Sequence, residues 1–173
     1  MRKFVMAAVL TLSVLLPAVS QAGWVVEGSL GKGGQVSSPR AWERINFMVA
    51  PGLSVLSLLR LQLGIVGDFA DTSGSKTDLE LRPMVTIVPP LLPIYGRAIF
   101  AVTNLAGRSG VKREIAYGAA GGLRFGLGPI GVFGEVGVLP RSRDFPSGSV
   151  TAPTTSSKFV WIVEGRVGAY LEF

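Results

Sequence analysis

Residues 158–173 alternate in character at every step. The odd positions Phe159, Trp161, Val163, Gly165, Val167, Ala169, Leu171 and Phe173 carry nothing polar, whereas the even ones include Lys158, Glu164, Arg166, Tyr170 and Glu172. A period of two held over sixteen residues is the mark of a strand with two unlike faces, since a helix would mix both classes on each side. The pattern recurs upstream. In 114–127, Ile115, Tyr117, Leu123, Phe125 and Leu127 oppose Glu114, Gly118, Gly122 and Arg124; in 78–88, Leu79, Leu81, Val85 and Ile87 oppose Glu80, Arg82 and Thr86. Segments 23–31, 43–55, 59–69, 94–104 and 130–138 behave alike, which predicts eight strands.

The two faces differ in size as well as polarity. Aromatic residues such as Trp24, Phe47, Phe100, Tyr117, Phe125, Trp161 and Phe173 lie on the apolar face, several near strand ends. The polar face sets its charges among Gly64, Gly118, Ala120, Gly122, Gly131, Gly137 and Gly168. Lipid accepts only apolar side chains and a narrow lumen needs small ones, so the apolar face is expected outside. An even number of strands can close without leaving an edge. Short turns at 57–58, 89–92 and 128–129 alternate with longer polar loops at 32–41, 70–77, 105–113 and 139–157. The expected fold is therefore all-β: an eight-stranded antiparallel up-and-down transmembrane β-barrel.

Where such a chain resides is suggested by its start. Arg2 and Lys3 precede an apolar run from Phe4 to Leu16, then Pro17 and the small residues Ser20 and Ala22. That is the three-part pattern of a secretory signal peptide, and the run is too short for a membrane anchor. Residues 1–22 are expected to be removed, leaving 23–173 as the barrel domain with 15 basic and 11 acidic residues, a net charge of +4. No later segment has the length of a membrane helix without a charge or proline, so membrane residence must come from strands.

Together, the signal peptide, eight alternating strands and terminal Phe173 with Leu171 and Ala169 on its face resemble the small outer-membrane β-barrels of the OmpA/OmpX type. The resemblance covers the whole of 23–173 but rests on architecture and the last strand rather than on a subfamily motif. It implies a bacterial outer-membrane location and a final strand read by the barrel-assembly machinery. Phe173, with Tyr170 and Leu171, would carry that insertion signal.

The charges on the polar face are the principal candidate site: Glu27, Glu80, Glu135 and Glu164 with Arg44, Arg60, Arg82, Arg97, Arg124 and Arg166. An eight-stranded barrel is only wide enough for side chains to fill, and ions held there must pair. A salt-bridge network that plugs the barrel is the first expectation. The alternative is a narrow pore or conduit for small solutes, anion-preferring because six Arg face four Glu. The loops are basic, carrying Lys32, Arg40, Lys76, Arg108, Lys112, Arg113, Arg141 and Arg143, and would be drawn to lipopolysaccharide phosphates. The segment 139–157, with three prolines and a Thr/Ser-rich stretch, is expected to be the longest loop and the contact for an extracellular partner.

Other functions are excluded or disfavoured. The chain has no cysteine and no histidine, which removes disulfides, thiolate metal sites, Cys nucleophiles and the commonest general base. Catalysis and a cofactor are not expected. The run from Gly126 to Gly131 spells G-x-G-x-x-G, but dinucleotide binding needs it between a strand and a helix, and here a strand follows. The basic charge lacks the interleaved aromatics of a nucleic-acid platform. The expectation is a monomeric, non-enzymatic surface protein serving membrane integrity, adhesion or defence. A duplicated hairpin is suggested by Pro51 and Pro83, each on the outward face and followed by a similar run to a pair of leucines.

Overall fold

All eight strands form, and each is hydrogen-bonded to its sequence neighbours in a computed structural model, with β1 and β8 pairing to close the barrel. They are β1 (Gly23–Gln35), β2 (Trp42–Val55), β3 (Leu59–Asp68), β4 (Leu79–Ile87), β5 (Ile94–Val102), β6 (Ile115–Leu127), β7 (Ile130–Ser147) and β8 (Thr154–Glu172). The structure describes residues 23–36, 42–68, 79–103, 105, 113–147 and 154–173, and gives the backbone path alone for 42–44, 141–147 and 154–159. The expected signal peptide lies outside the described residues.

Alternation dictates which way each strand faces. Along β3, Leu61, Leu63 and Ile65 are exposed while Arg60, Gln62 and Gly64 are buried. The same holds around the barrel, so the outward surface is apolar and the inward surface carries the charges. In water this would be an inverted protein, because charges cost heavily when buried and large apolar faces associate. In lipid it is the only workable arrangement. At the seam, Trp24 and Phe173 exchange two backbone hydrogen bonds, of 2.6 and 2.9 Å.

The short turns form at one end of the barrel. At the first, Leu58 N–H donates to Val55 O at 3.2 Å, and Leu56 and Ser57 both hold positive φ (55° and 54°), as a type I′ turn demands. Neither is glycine, so both residues carry left-handed strain. Ser57→Gly should raise the unfolding free energy by about 0.5–1 kcal/mol, the strain relieved being partly offset by the freedom glycine adds to the unfolded chain. Denaturant titration of the folded barrel checks this. The third turn already has its glycine: Gly128 has φ +66° between the paired Leu127 and Ile130.

Two expectations need correction. The segment 139–157 is not a long loop. β7 and β8 stay paired up to Ser147↔Thr154, so the connection shrinks to 148–153. Its prolines argued for a loop but do little harm where they stand. Glu172 N–H donates to Pro129 O, which puts the β7–β8 bonds on odd-numbered β7 residues. Pro140 and Pro146 are even-numbered and aim toward the β6 side, where the ladder ends at Ala119↔Val138. Proline at a free edge costs no bond and blunts that edge. Lys32, second, is no loop residue: it lies within β1 opposite Ile45 and Gly165, exposed on the outward face. The alternation of β1 simply runs four residues further than the polar composition suggested.

Pro51 and Pro83 both face outward, as expected, and each interrupts a ladder. The β2–β3 pairing skips from Val49↔Ile65 to Gly52↔Gln62, and the β4–β5 pairing skips from Leu81↔Val102 to Met84↔Ile99. A missing N–H is the physical cause in each case.

Candidate functional site

Ten inward side chains, from seven of the eight strands, form one chain of alternating charge along the lumen. It runs Glu80, Arg82, Glu164, Arg166, Glu135, Arg97, Glu27, Arg60, Glu172, Arg124. Arg82 bridges Glu80 and, at 2.7 Å, Glu164. Arg166 binds Glu164 and approaches Glu135 at 3.8 Å. Arg97 lies 3.0 Å from Glu135 and 2.6 Å from Glu27. Arg60 meets Glu27 at 3.4 Å and binds Glu172, which Arg124 approaches at 3.5 Å.

Neutral groups complete the coordination. Asn46 donates to Glu164 at 2.9 Å and accepts from Arg166 at 2.5 Å, and Arg166 also donates to Ser29 at 3.1 Å. Tyr95 O–H donates to Glu135 at 2.8 Å, and Arg97 donates to Thr86 at 2.9 Å. At the short-turn end the arginines lie over rings. Arg60 and Arg124 stand 4.9 and 4.3 Å from the centre of Tyr170, and Arg97 stands 5.3 Å from that of Tyr95. Arginine suits all these roles because its planar fork binds carboxylates and stacks on rings at once.

Glycines make the space. A Cβ at Gly131 or Gly126 would fall on the ring or hydroxyl of Tyr170, so these two residues let the tyrosine lie flat across β6 and β7. The result is a filled lumen. Glu27, Arg60, Arg82 and Arg97 are each no more than 3% exposed. The recess lined by Glu27, Arg60, Arg97, Arg124, Phe133 and Tyr170 has about 10 Å³ for a water centre, room for roughly one water.

Of the ten residues expected here, nine are in the chain. The side chain of Arg44 lies outside the described residues. Glu172 was not expected in the network, and it links Arg60 to Arg124. With it the network, among the described residues, holds five Arg and five Glu, where four Glu were expected. A second feature also escaped the sequence reading. Part of the lumen is apolar, where Met48, Ala50, Val66, Met84, Ile99, Ala101, Ala116 and Leu139 pack together. Phe133, Tyr95, Val88 and Tyr170 form a smaller cluster near the short turns. Strand parity contained the signal, since Met48 and Ala50 share the face of Asn46.

The expected insertion residues divide between the faces. Leu171 and Phe173 are exposed outside, whereas Tyr170 is buried inside against Arg60 and Arg124. Among the basic rim residues, Arg113 is exposed beside β6. Arg40, Lys76, Arg108 and Lys112 lie outside the described residues, as do the side chains of Arg141 and Arg143.

A closed eight-stranded antiparallel barrel, apolar without and charged within, is the architecture of the small outer-membrane barrels. The comparisons with solved structures agree. The fold is similar to that of Neisserial surface protein A, NspA, with a TM-score of 0.56, 14% identity, and coverage of 88% of this chain and 99% of that one. It is also similar to outer membrane protein AlkL, solved by solid-state NMR in DMPC lipid bilayers, with a TM-score of 0.54, 15% identity, and coverage of 88% and 90%. No protein-family model matches the chain, and no curated protein matches it.

Proposed function

We propose that this chain is a non-enzymatic integral protein of a bacterial outer membrane, whose closed barrel is a rigid support for the connections at the end opposite the short turns. Membrane integrity, adhesion or defence would be served from that surface. The observation that carries this reading is the charge chain: it runs through the lumen from Glu80 to Arg124 as paired, largely buried ions. A conduit would need mobile side chains or a hydrated path, and paired, buried Arg and Glu favour neither. In planar bilayers the purified protein is expected to give no stable open channel. Steady single-channel currents would overturn the plug and favour the narrow pore.

The same reading takes export by the 1–22 segment, assembly through the outward Phe173, and a rim facing lipopolysaccharide. Arg113, exposed at that end, and outward Lys32 on β1 support the last element. Neutralising Arg108, Lys112 and Arg113 together should weaken lipid A association of the folded barrel and increase its resistance to added salt. Unchanged association would remove lipopolysaccharide from the proposal.

A further inference from the structure

Turns that project into water are normally built from Gly, Asn, Asp, Ser and Pro. The three short turns of this barrel keep Ser, Pro and Gly but fill the remaining positions with large aliphatic residues. Residues 56–58 read Leu-Ser-Leu, 88–93 read Val-Pro-Pro-Leu-Leu-Pro, and 127–130 read Leu-Gly-Pro-Ile, with no charge and one hydroxyl among them. Val88 packs inward, but the leucines are outside: Leu91 and Leu127 are each 93% exposed, and Leu56 and Leu92 are half exposed. No helix or loop among the described residues covers this end.

The apolar surface of the turns is continuous with the lipid-facing belt, and the height of that belt accounts for it. Tyr117, Pro140 and Trp161 fall in one cross-strand row, because Pro140 pairs with Trp161 and the β6–β7 register would bring it opposite Tyr117. Phe100 packs edge-on against Tyr117 at 5.2 Å between ring centres, extending this aromatic girdle to β5. Leu127, Ile130 and Leu171 form a parallel row ten residues further down each strand. Ten residues at about 3.4 Å each, tilted by about 40°, span about 26 Å along the barrel axis, the full height of a typical outer-membrane apolar band. With the upper girdle at one membrane boundary, the Leu127 row already lies at the other.

We infer that the short-turn end is a lipid-contact surface: the leucines of its turns lie within the interfacial layer of the membrane's near leaflet instead of projecting into the aqueous compartment beyond. The occupant is lipid, the same that covers the belt, and the inference rests on the membrane-barrel reading above. Buried apolar turns also explain why this end can tolerate the costly left-handed Leu56, whose side chain would gain from lipid contact what an Asn would lose.

The absence of cysteine permits single nitroxide labels at chosen positions. Leu63→Cys reports mid-belt, Leu91→Cys and Leu127→Cys report the turns, and Arg113→Cys reports the opposite rim. Each variant is placed in dimyristoylphosphatidylcholine vesicles and its collisions with oxygen and with a water-soluble nickel complex are compared. Oxygen should dominate at 63, 91 and 127, and nickel at 113. Nickel dominance at 91 and 127 with oxygen still dominant at 63 would overturn the inference and leave the membrane barrel intact. Nickel dominance at 63 as well would overturn both. Shielding from both reagents at 91 with spin–spin broadening would mean that a second copy covers the turns, and would equally overturn lipid contact.

Discussion

Glu164→Gln should lower the unfolding free energy by about 3–5 kcal/mol, the cost of leaving buried charges without their counter-ion. Glu164 is flanked in the charge chain by Arg82 and Arg166 and also accepts from Asn46. Glutamine keeps the volume but turns an amide N–H toward one of two guanidinium groups, and both arginines are about 3% exposed. Water cannot enter to compensate at that level of closure. Denaturant titration followed by the fluorescence of Trp24, Trp42 and Trp161 would measure the loss, with an unchanged m-value marking a stability effect alone. Arg124→Gln is the control. Arg124 ends the chain, is more solvated at 15% side-chain exposure, and approaches its partner only to 3.5 Å. Its removal should cost less than about 1 kcal/mol, in the range of exposed pairs. Equal losses for the two variants would mean that the lumen is hydrated throughout, and the plug would fail with it.

How much of this was legible beforehand depended on whether a property is local. The period of two fixes the face of each residue, so the strand count and the inward position of Arg60, Arg82 or Glu135 follow from the sequence itself. Strand ends are different. β7 continues through Arg141 to Ser147, whose composition reads as loop, because the partner strand supplies the bonds and the two prolines sit at an edge. Nothing local reports that pairing. The order of charges along the lumen is likewise a matter of register: Arg82 and Glu164 are far apart in sequence and meet only after the barrel closes. Glu172 was on the polar face but next to the last residue of the chain, outside the mid-strand charges, yet it lies between two arginines. The apolar part of the lumen was missed for another reason. Met48, Met84 and Ile99 sit on the face that carries charges elsewhere, and a search for alternating polarity passes over apolar residues on both sides. Parity, rather than polarity, assigns them.

Phe133→Ala tests that distinction directly. Phe133 shares its face with Glu135, is 5% exposed, and packs edge-on against Tyr95 at 6.3 Å between ring centres, with Arg97 5.8 Å from its own centre. Its neighbour Val132 is 57% exposed on the lipid side. On polarity alone the two look interchangeable. Truncating a ring in a closed interior removes transfer free energy and leaves a cavity, which costs about 3–5 kcal/mol for Phe→Ala. Val132→Ala loses only the transfer of two methyl groups into lipid, about 1–1.5 kcal/mol, and leaves no cavity. The Phe133 loss should fall at the lower end of its range. The space opened joins the recess beside Arg60, whose Nε is buried without a hydrogen-bond partner, so entering water would gain a donor to bind. A ring lost from the lipid face would bring no such water. Similar losses for the two variants would reverse the assignment of faces. A two- to threefold difference in the cost, with bilayers still silent because Arg97 and Glu27 remain paired below the vacated ring, is the outcome that a lumen closed by its ions requires.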